Sequence, residues 1–120
     1  MFVKKLSNCE SFLAGDSTIL KELFNPSKDK LCVNYSLAHA IVKPNSRSIK
    51  HSLTTSEVYY ILKGSGIMHI EIESQNVSEG DTIIIPPNSV QFIENSGYDD
   101  LIFLCIVEPA WQAENEIVLE

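Results

Sequence analysis

The sequence has no apolar run approaching the roughly 18 to 20 residues that a membrane-spanning helix needs, so a soluble protein with no membrane partner is expected. It is also short of positive charge. Nine Lys and Arg stand against sixteen Asp and Glu, a formal net charge of −7. Nucleic acid is therefore disfavoured as a partner, because phosphate binding needs a surplus of Lys and Arg on one face. Arg47, Lys50 and His51 form the one short basic cluster, ordinary for a solvated turn. Three cysteines, Cys9, Cys32 and Cys105, are too few, too widely spaced and odd in number for a disulfide framework. They read as reduced thiols, with Cys105 buried inside the apolar run Leu101 to Val107. After Lys4 and Lys5 come Ser7, Asn8, Cys9 and Glu10 instead of an apolar segment, so no secretory signal is expected and the location reads as cytoplasmic. Internal repeats, low-complexity stretches and Pro/Ser-rich linkers are absent, and 120 residues suit one hydrophobic core, giving a single domain over 1–120.

What is present is a globular composition, 44% hydrophobic with mean hydropathy +0.02, cut into short pieces by regular turn signals. After Asn25-Pro26-Ser27-Lys28-Asp29 these are Pro44-Asn45-Ser46, Lys63-Gly64-Ser65-Gly66, Ser74-Gln75-Asn76, Glu79-Gly80-Asp81, Pro86-Pro87-Asn88-Ser89 and Asn95 to Asp99. Between them lie β-branched and aromatic runs: Leu31 to Val42, Glu57 to Leu62, Ile67 to Ile72, Thr82 to Ile85, Val90 to Ile93 and Leu101 to Val107. Short strands joined by tight turns predict an all-β sandwich or barrel, since only a two-sided β core buries their apolar faces. The run Ile67 to Glu73 alternates cleanly, with Met68, Ile70 and Ile72 on one face and His69, Glu71 and Glu73 on the other, so His69 is expected to face solvent. His39 lies near no candidate site and reads as a satisfied or exposed strand histidine. Asp16 to Phe24 fits either an edge strand or a short helical turn. Met1 to Phe24 has no evident duty inside the barrel. Trp111, after Glu108-Pro109, is expected to anchor the tail as apolar packing.

The chemistry-bearing residues begin at His51, followed by Glu57, with Gly64 closing the segment in a turn. In an extended chain His51, Leu53, Glu57, Tyr59 and Ile61 share one parity, although Thr54-Thr55-Ser56 interrupts strict counting. Gln91 follows the rigid turn Pro86-Pro87-Asn88-Ser89, which returns the chain across the same interior. Tyr59, Met68, Ile70, Phe103 and Cys105 are expected to line the same cavity, with Tyr59 packing or donating a hydrogen bond to a ligand.

These spacings resemble those of the cupin superfamily, in which two motifs bracket a metal inside a double-stranded β-helix. The first motif there runs Gly, five residues, His-x-His, three or four residues, Glu, six residues, Gly. Here Asn45 stands for the first Gly, His51 for the first His, Leu53 for the second, Glu57 for the carboxylate and Gly64 for the last Gly. The second runs Gly, five residues, Pro-x-Gly, two residues, His, three residues, Asn. Gly80 and Pro86 match, Asn88 replaces Gly, Gln91 replaces His, and Asn95 matches the Asn. The resemblance spans 45–95 and implies an all-β cupin or jelly-roll barrel. Asn at two glycine positions is a mild change, because Asn tolerates positive φ best after Gly.

The resemblance further implies a divalent ion, Fe, Mn, Zn or Ni, held by His51, Glu57 and Gln91. This is a reduced set, since the superfamily usually offers three imidazoles and one carboxylate and an amide oxygen is a weaker donor. Glu57 would serve as base and Tyr59 would orient a small oxygenated molecule, carbohydrate-like or carboxylate, in a metal-dependent oxygenase or isomerase. Two alternatives stay open: a metal-free binding or sensor module, and a structural remnant in which the three side chains satisfy one another. Small cupins also imply a homodimer paired through terminal segments.

Overall fold

The computed structural model describes residues 1–120. In chain order the strands are β1 Phe12–Leu13, β2 Ile19–Phe24, β3 Ser36–Val42, β4 His51–Leu53, β5 Ser56–Lys63, β6 Ser65–Ile70, β7 Glu73–Ser78, β8 Thr82–Ile85, β9 Gln91–Asn95, β10 Leu101–Glu108 and β11 Glu116–Val118. Short 3₁₀ turns at Leu6–Asn8 and Ala113–Asn115 are the only helical pieces. Two sheets form, one ordered β1-β2-β3-β10-β5-β8 and the other β11-β4-β9-β6-β7, antiparallel throughout. Their facing sides close into an all-β barrel, the architecture that the motif spacing implied.

Alternation builds the interior. On β10, Leu101, Phe103, Cys105 and Val107 are buried while their neighbours are less so; on β5 the inward set is Glu57, Tyr59 and Ile61; on β9 it is Gln91, Ile93 and Asn95. Ala40, Val42, Met68, Val77 and Ile85 complete the apolar core with these strands. Two polar residues brace it. Ser48 Oγ accepts from the Ile93 amide, and the Asn95 side chain donates to the carbonyls of Val42 and Asp99 while accepting from Gly97 N–H.

The turns explain the motif spacing. Asn45 and Asn88, at the two glycine positions, have φ of 61° and 65°, the left-handed region expected for them. Gly64, at φ 90°, lies so close to the next segment that an added Cβ would stand 2.7 Å from the Asp100 carbonyl oxygen.

Four expectations are corrected. Ser74-Gln75-Asn76 is strand, paired with His69, Met68 and Ile67; the chain reverses earlier, at Glu71 and Ile72, which leaves Ile72 fully exposed. Glu71 takes φ 52° without glycine because both its amide and its carboxylate are tied to Val90, at 2.8 and 2.9 Å. Tertiary pairing thus overrides local turn preference. The strand expected from Leu31 begins at Ser36. Of Asp16 to Phe24, Ile19–Phe24 forms strand β2, as one of the two alternatives had it, but lies between β1 and β3 and not at an edge. The tail beyond Trp111 adds β11 to the second sheet, so it is built into the barrel and not merely clamped to it.

Asn88→Gly is expected to leave stability within about 1 kcal/mol of the parent, whereas Asn88→Val should cost about 1–2 kcal/mol, because a β-branched residue is disfavoured at positive φ. Gly64→Ala should cost more than either, adding a backbone clash to strain. Urea denaturation of the three variants measures the order.

Candidate functional site

The motif residues converge by a route different from strand parity. His51 and Leu53 lie on β4 of the second sheet, and the short turn at Thr54-Thr55 carries the chain to β5 of the first, so Glu57 and Tyr59 approach from the opposite wall. Gln91 sits on β9 directly across from His51. All five are buried.

Gln91 bridges the sheets. Its Nε2 donates to Glu57 Oε1 at 2.8 Å, and its Oε1 accepts from the Tyr59 hydroxyl at 3.2 Å. Tyr59 also packs its ring on Phe103, with centroids 4.4 Å apart. Burial pushes the Glu57 carboxyl up to about 8; the Gln91 hydrogen bond opposes this, and the carboxylates of Asp16 and Glu116 add to the rise. The Tyr59 hydroxyl and the Cys105 thiol are pushed well above their usual ranges, first by burial and then by Glu57.

His51 Nδ1 lies 2.9 Å from the Ile49 carbonyl oxygen, which can only accept, so Nδ1 carries a hydrogen. Its Nε2 points at two carboxylates from outside the motifs, Asp16 Oδ2 at 3.6 Å and Glu116 Oε2 at 4.0 Å. Asp16 is fixed locally: Thr18 donates to its Oδ1 from both amide and hydroxyl, and its own carbonyl accepts from Ile49 N–H. Glu116 stands opposite Leu53 in the β4–β11 register. Burial raises its carboxyl, His51 lowers it, and Asp16 raises it again.

These groups border a cavity of about 140 Å³. Its walls come from Phe12 to Leu20 and Glu22, from Ser36 and Ala38, from His51, Leu53, Glu57 and Tyr59, and from Phe103, Cys105, Trp111 and Glu116. The region before residue 25, expected to lie idle, therefore forms one side of the cavity. Trp111, expected only to pack, lines it too. Met68 and Ile70, expected beside the motif residues, instead border a second cleft with β7 and β8, because β6 lies toward the far edge of its sheet. Gln91 stands behind Glu57 and Tyr59 and does not line the cavity. Asp16 and Glu116 had no signal in the sequence beyond the Asp-x-Thr turn pattern at Asp16.

The other histidines lie elsewhere. His69 is not a bare surface residue: it stacks on Phe92 with centroids 4.1 Å apart and bonds to Glu94 and Ser74. His39 Nδ1 is buried without a partner, contrary to the expectation of a satisfied or exposed ring, and burial, with Lys21, lowers its pKa.

Residues 38–107 match the cupin domain family, and the chain belongs to that family. It is 40% identical over 110 residues to the uncharacterized protein MJ1618 of Methanocaldococcus jannaschii, covering 91% of this chain and 87% of that one. Its fold is similar to that of the plu4264 protein from Photorhabdus luminescens, at 26% identity and TM-score 0.78, covering 96% of this chain and 91% of the other. It is also similar, at 21% identity and TM-score 0.82, to an oxalate decarboxylase of Bacillus subtilis described by its Mn(II) centers; that match covers 95% of this chain and 31% of the other.

Between about pH 4.5 and 8 the folded chain keeps a proton on Glu57 that the unfolded chain has lost. The stability this group contributes is full below that window and is lost as pH rises through it, at up to about 1.4 kcal/mol per pH unit. Glu57→Gln should therefore flatten the stability profile between pH 5 and 8, and gain on the parent at the alkaline end. Thermal melts across that range would show it; parallel profiles for the two proteins would contradict the assignment.

Proposed function

We propose that this chain is a small-molecule binding module, a cupin whose interior cavity recognises a compact ligand without depending on a resident metal ion. The observation that carries this reading is the Tyr59–Gln91–Glu57 chain, which commits the Gln91 amide at both ends within the protein. An amide so engaged is a poor ligand for an ion, Leu53 offers no donor, and no group of three or more His, Cys, Asp or Glu side chains is arranged to hold one. The residues present do not fit the four-donor centre that the cupin motifs imply.

In this reading the polar chain serves as the floor of the site. Glu57, held neutral by burial, presents its second oxygen as a hydrogen-bond donor, while Tyr59, whose hydroxyl is spent on Gln91, contributes its ring. The aromatic and aliphatic lining receives an apolar body.

One observation favours a second reading. An imidazole whose Nδ1 is anchored to a backbone carbonyl while Nε2 lacks a hydrogen bond is oriented as ligating histidines are. In that reading a divalent ion, Fe, Mn, Zn or Ni, sits on His51, Glu57 and Gln91, and the chain is a metal-dependent oxygenase or isomerase with Glu57 and Tyr59 at the reacting molecule.

Elemental analysis of protein expressed in metal-supplemented medium separates the two. The expected result is metal well below one equivalent per chain and a melting temperature unchanged by chelator. Leu53→His, which adds an imidazole to the cavity wall, should raise affinity for Zn²⁺ by tenfold or more, in the order of one added ligand. One tightly held metal per chain, lost in both Glu57→Ala and Gln91→Ala, would establish the second reading instead.

A further inference from the structure

The cavity has a charge asymmetry that narrows its ligand. Its acidic lining residues are Asp16, Glu22, Glu116 and the neutral Glu57; no Lys or Arg reaches it, and His51 is the one basic group. Glu22 already has a cation, Lys28, at 2.8 Å. Asp16 and Glu116 have none. Their nearest positive partner is the His51 ring, at 3.6 and 4.0 Å, and neither contact is a hydrogen bond.

His51 independently marks the same spot. Its side chain is 2% exposed, yet Nε2 has no hydrogen-bond partner and is aimed between the two carboxylates. At those distances neither carboxylate is hydrogen-bonded to the ring, and one imidazole faces two carboxylates across the edge of the cavity. A charge-assisted donor placed between the carboxylates would complete the arrangement, which points to a ligand of positive charge.

Beyond the carboxylates, Tyr59, Phe103 and Trp111 supply aromatic faces suited to an apolar body and to a cation beside it. A volume of about 140 Å³ is close to that of an engineered cavity of about 150 Å³ that admits benzene, which limits the guest to about six to eight non-hydrogen atoms.

We propose that the cavity binds a small primary ammonium compound with a compact apolar body, its nitrogen held by Asp16 and Glu116. This rests on the reading of the cavity as a binding site that needs no metal. It distinguishes the ligand from a dicarboxylate or a phosphorylated sugar, for which the walls offer no fixed cation.

Three probes within that limit test it: cyclohexylammonium, cyclohexanol and cyclopentanecarboxylate, titrated into the intact chain. The fluorescence of Trp111, the single tryptophan and part of the wall, reports binding. The ammonium should bind at least about tenfold more tightly than the alcohol, the difference expected for a charge-assisted hydrogen bond, with the carboxylate weakest. Asp16→Asn and Glu116→Gln should each remove most of that preference, bringing the ammonium to within about threefold of the alcohol on the same variant, with melting curves confirming that the variants fold. Equal binding of alcohol and ammonium, or tighter binding of the carboxylate, would overturn the cation assignment and leave the binding-module reading standing. Absence of any response to all three probes would overturn both.

Discussion

A neutral amide tying two sheets together across the barrel is the contact on which the interior depends. Glu57 and Tyr59 come from β5 in one sheet and Gln91 from β9 in the other, and all three side chains are buried. A carboxyl and a phenol in that position would each carry a large desolvation cost if left unpaired. Gln91 resolves both at once, because an amide is donor and acceptor together: it gives a hydrogen bond to Glu57 and takes one from Tyr59. An imidazole ring at the same place, with one donor and one acceptor in fixed opposition, would not span the pair in the same manner. The substitution of Gln for His in the second motif is therefore a change of role, from coordinating outward to bridging inward.

That bridge also separates two environments. Behind it lies the apolar core of Ile61, Ile85, Ile93 and Leu101, each essentially inaccessible. Ahead of it lies a cavity whose other walls come from β2, β3, β10 and the two terminal segments. The Phe12 to Thr18 segment closes one side and Trp111 to Glu116 another, and both meet at His51. The cupin motifs thus furnish the floor and the ends furnish the rim, including two of the carboxylates that set the local charge. Electrostatics of this kind act strongly because the groups are buried, where screening is weak. It follows that chains sharing this barrel, even at high TM-score, can differ in ligand wherever their terminal segments differ.

Much of the architecture was legible before any coordinates. Turn signals at regular spacing announced short strands, Asn45 and Asn88 were readable as left-handed turn residues, and the inward parity of Glu57, Tyr59 and Ile61 followed from the two-residue repeat. Failures have a common cause. The hairpin at Glu71 and Ile72 violates local turn preference because Val90, distant in sequence, holds Glu71 in place. The inclusion of Asp16 and Glu116 in the site depends on strand pairings between the termini and the motif strands, and residue type alone carries no trace of those.

The sequence by itself determined the β class, the cupin motifs, the buried positions of His51, Glu57 and Gln91, and the loss of the second and third motif imidazoles, since period, turn chemistry and residue identity are local properties. Only the tertiary structure decided what those residues do to one another: that Gln91 turns toward Glu57 and Tyr59, that Leu53 faces Glu116, and that His51 looks at two carboxylates from opposite ends of the chain. Hydrogen-bond partnership and field are properties of distance in space, and in a barrel closed by its own termini that distance bears little relation to separation along the chain.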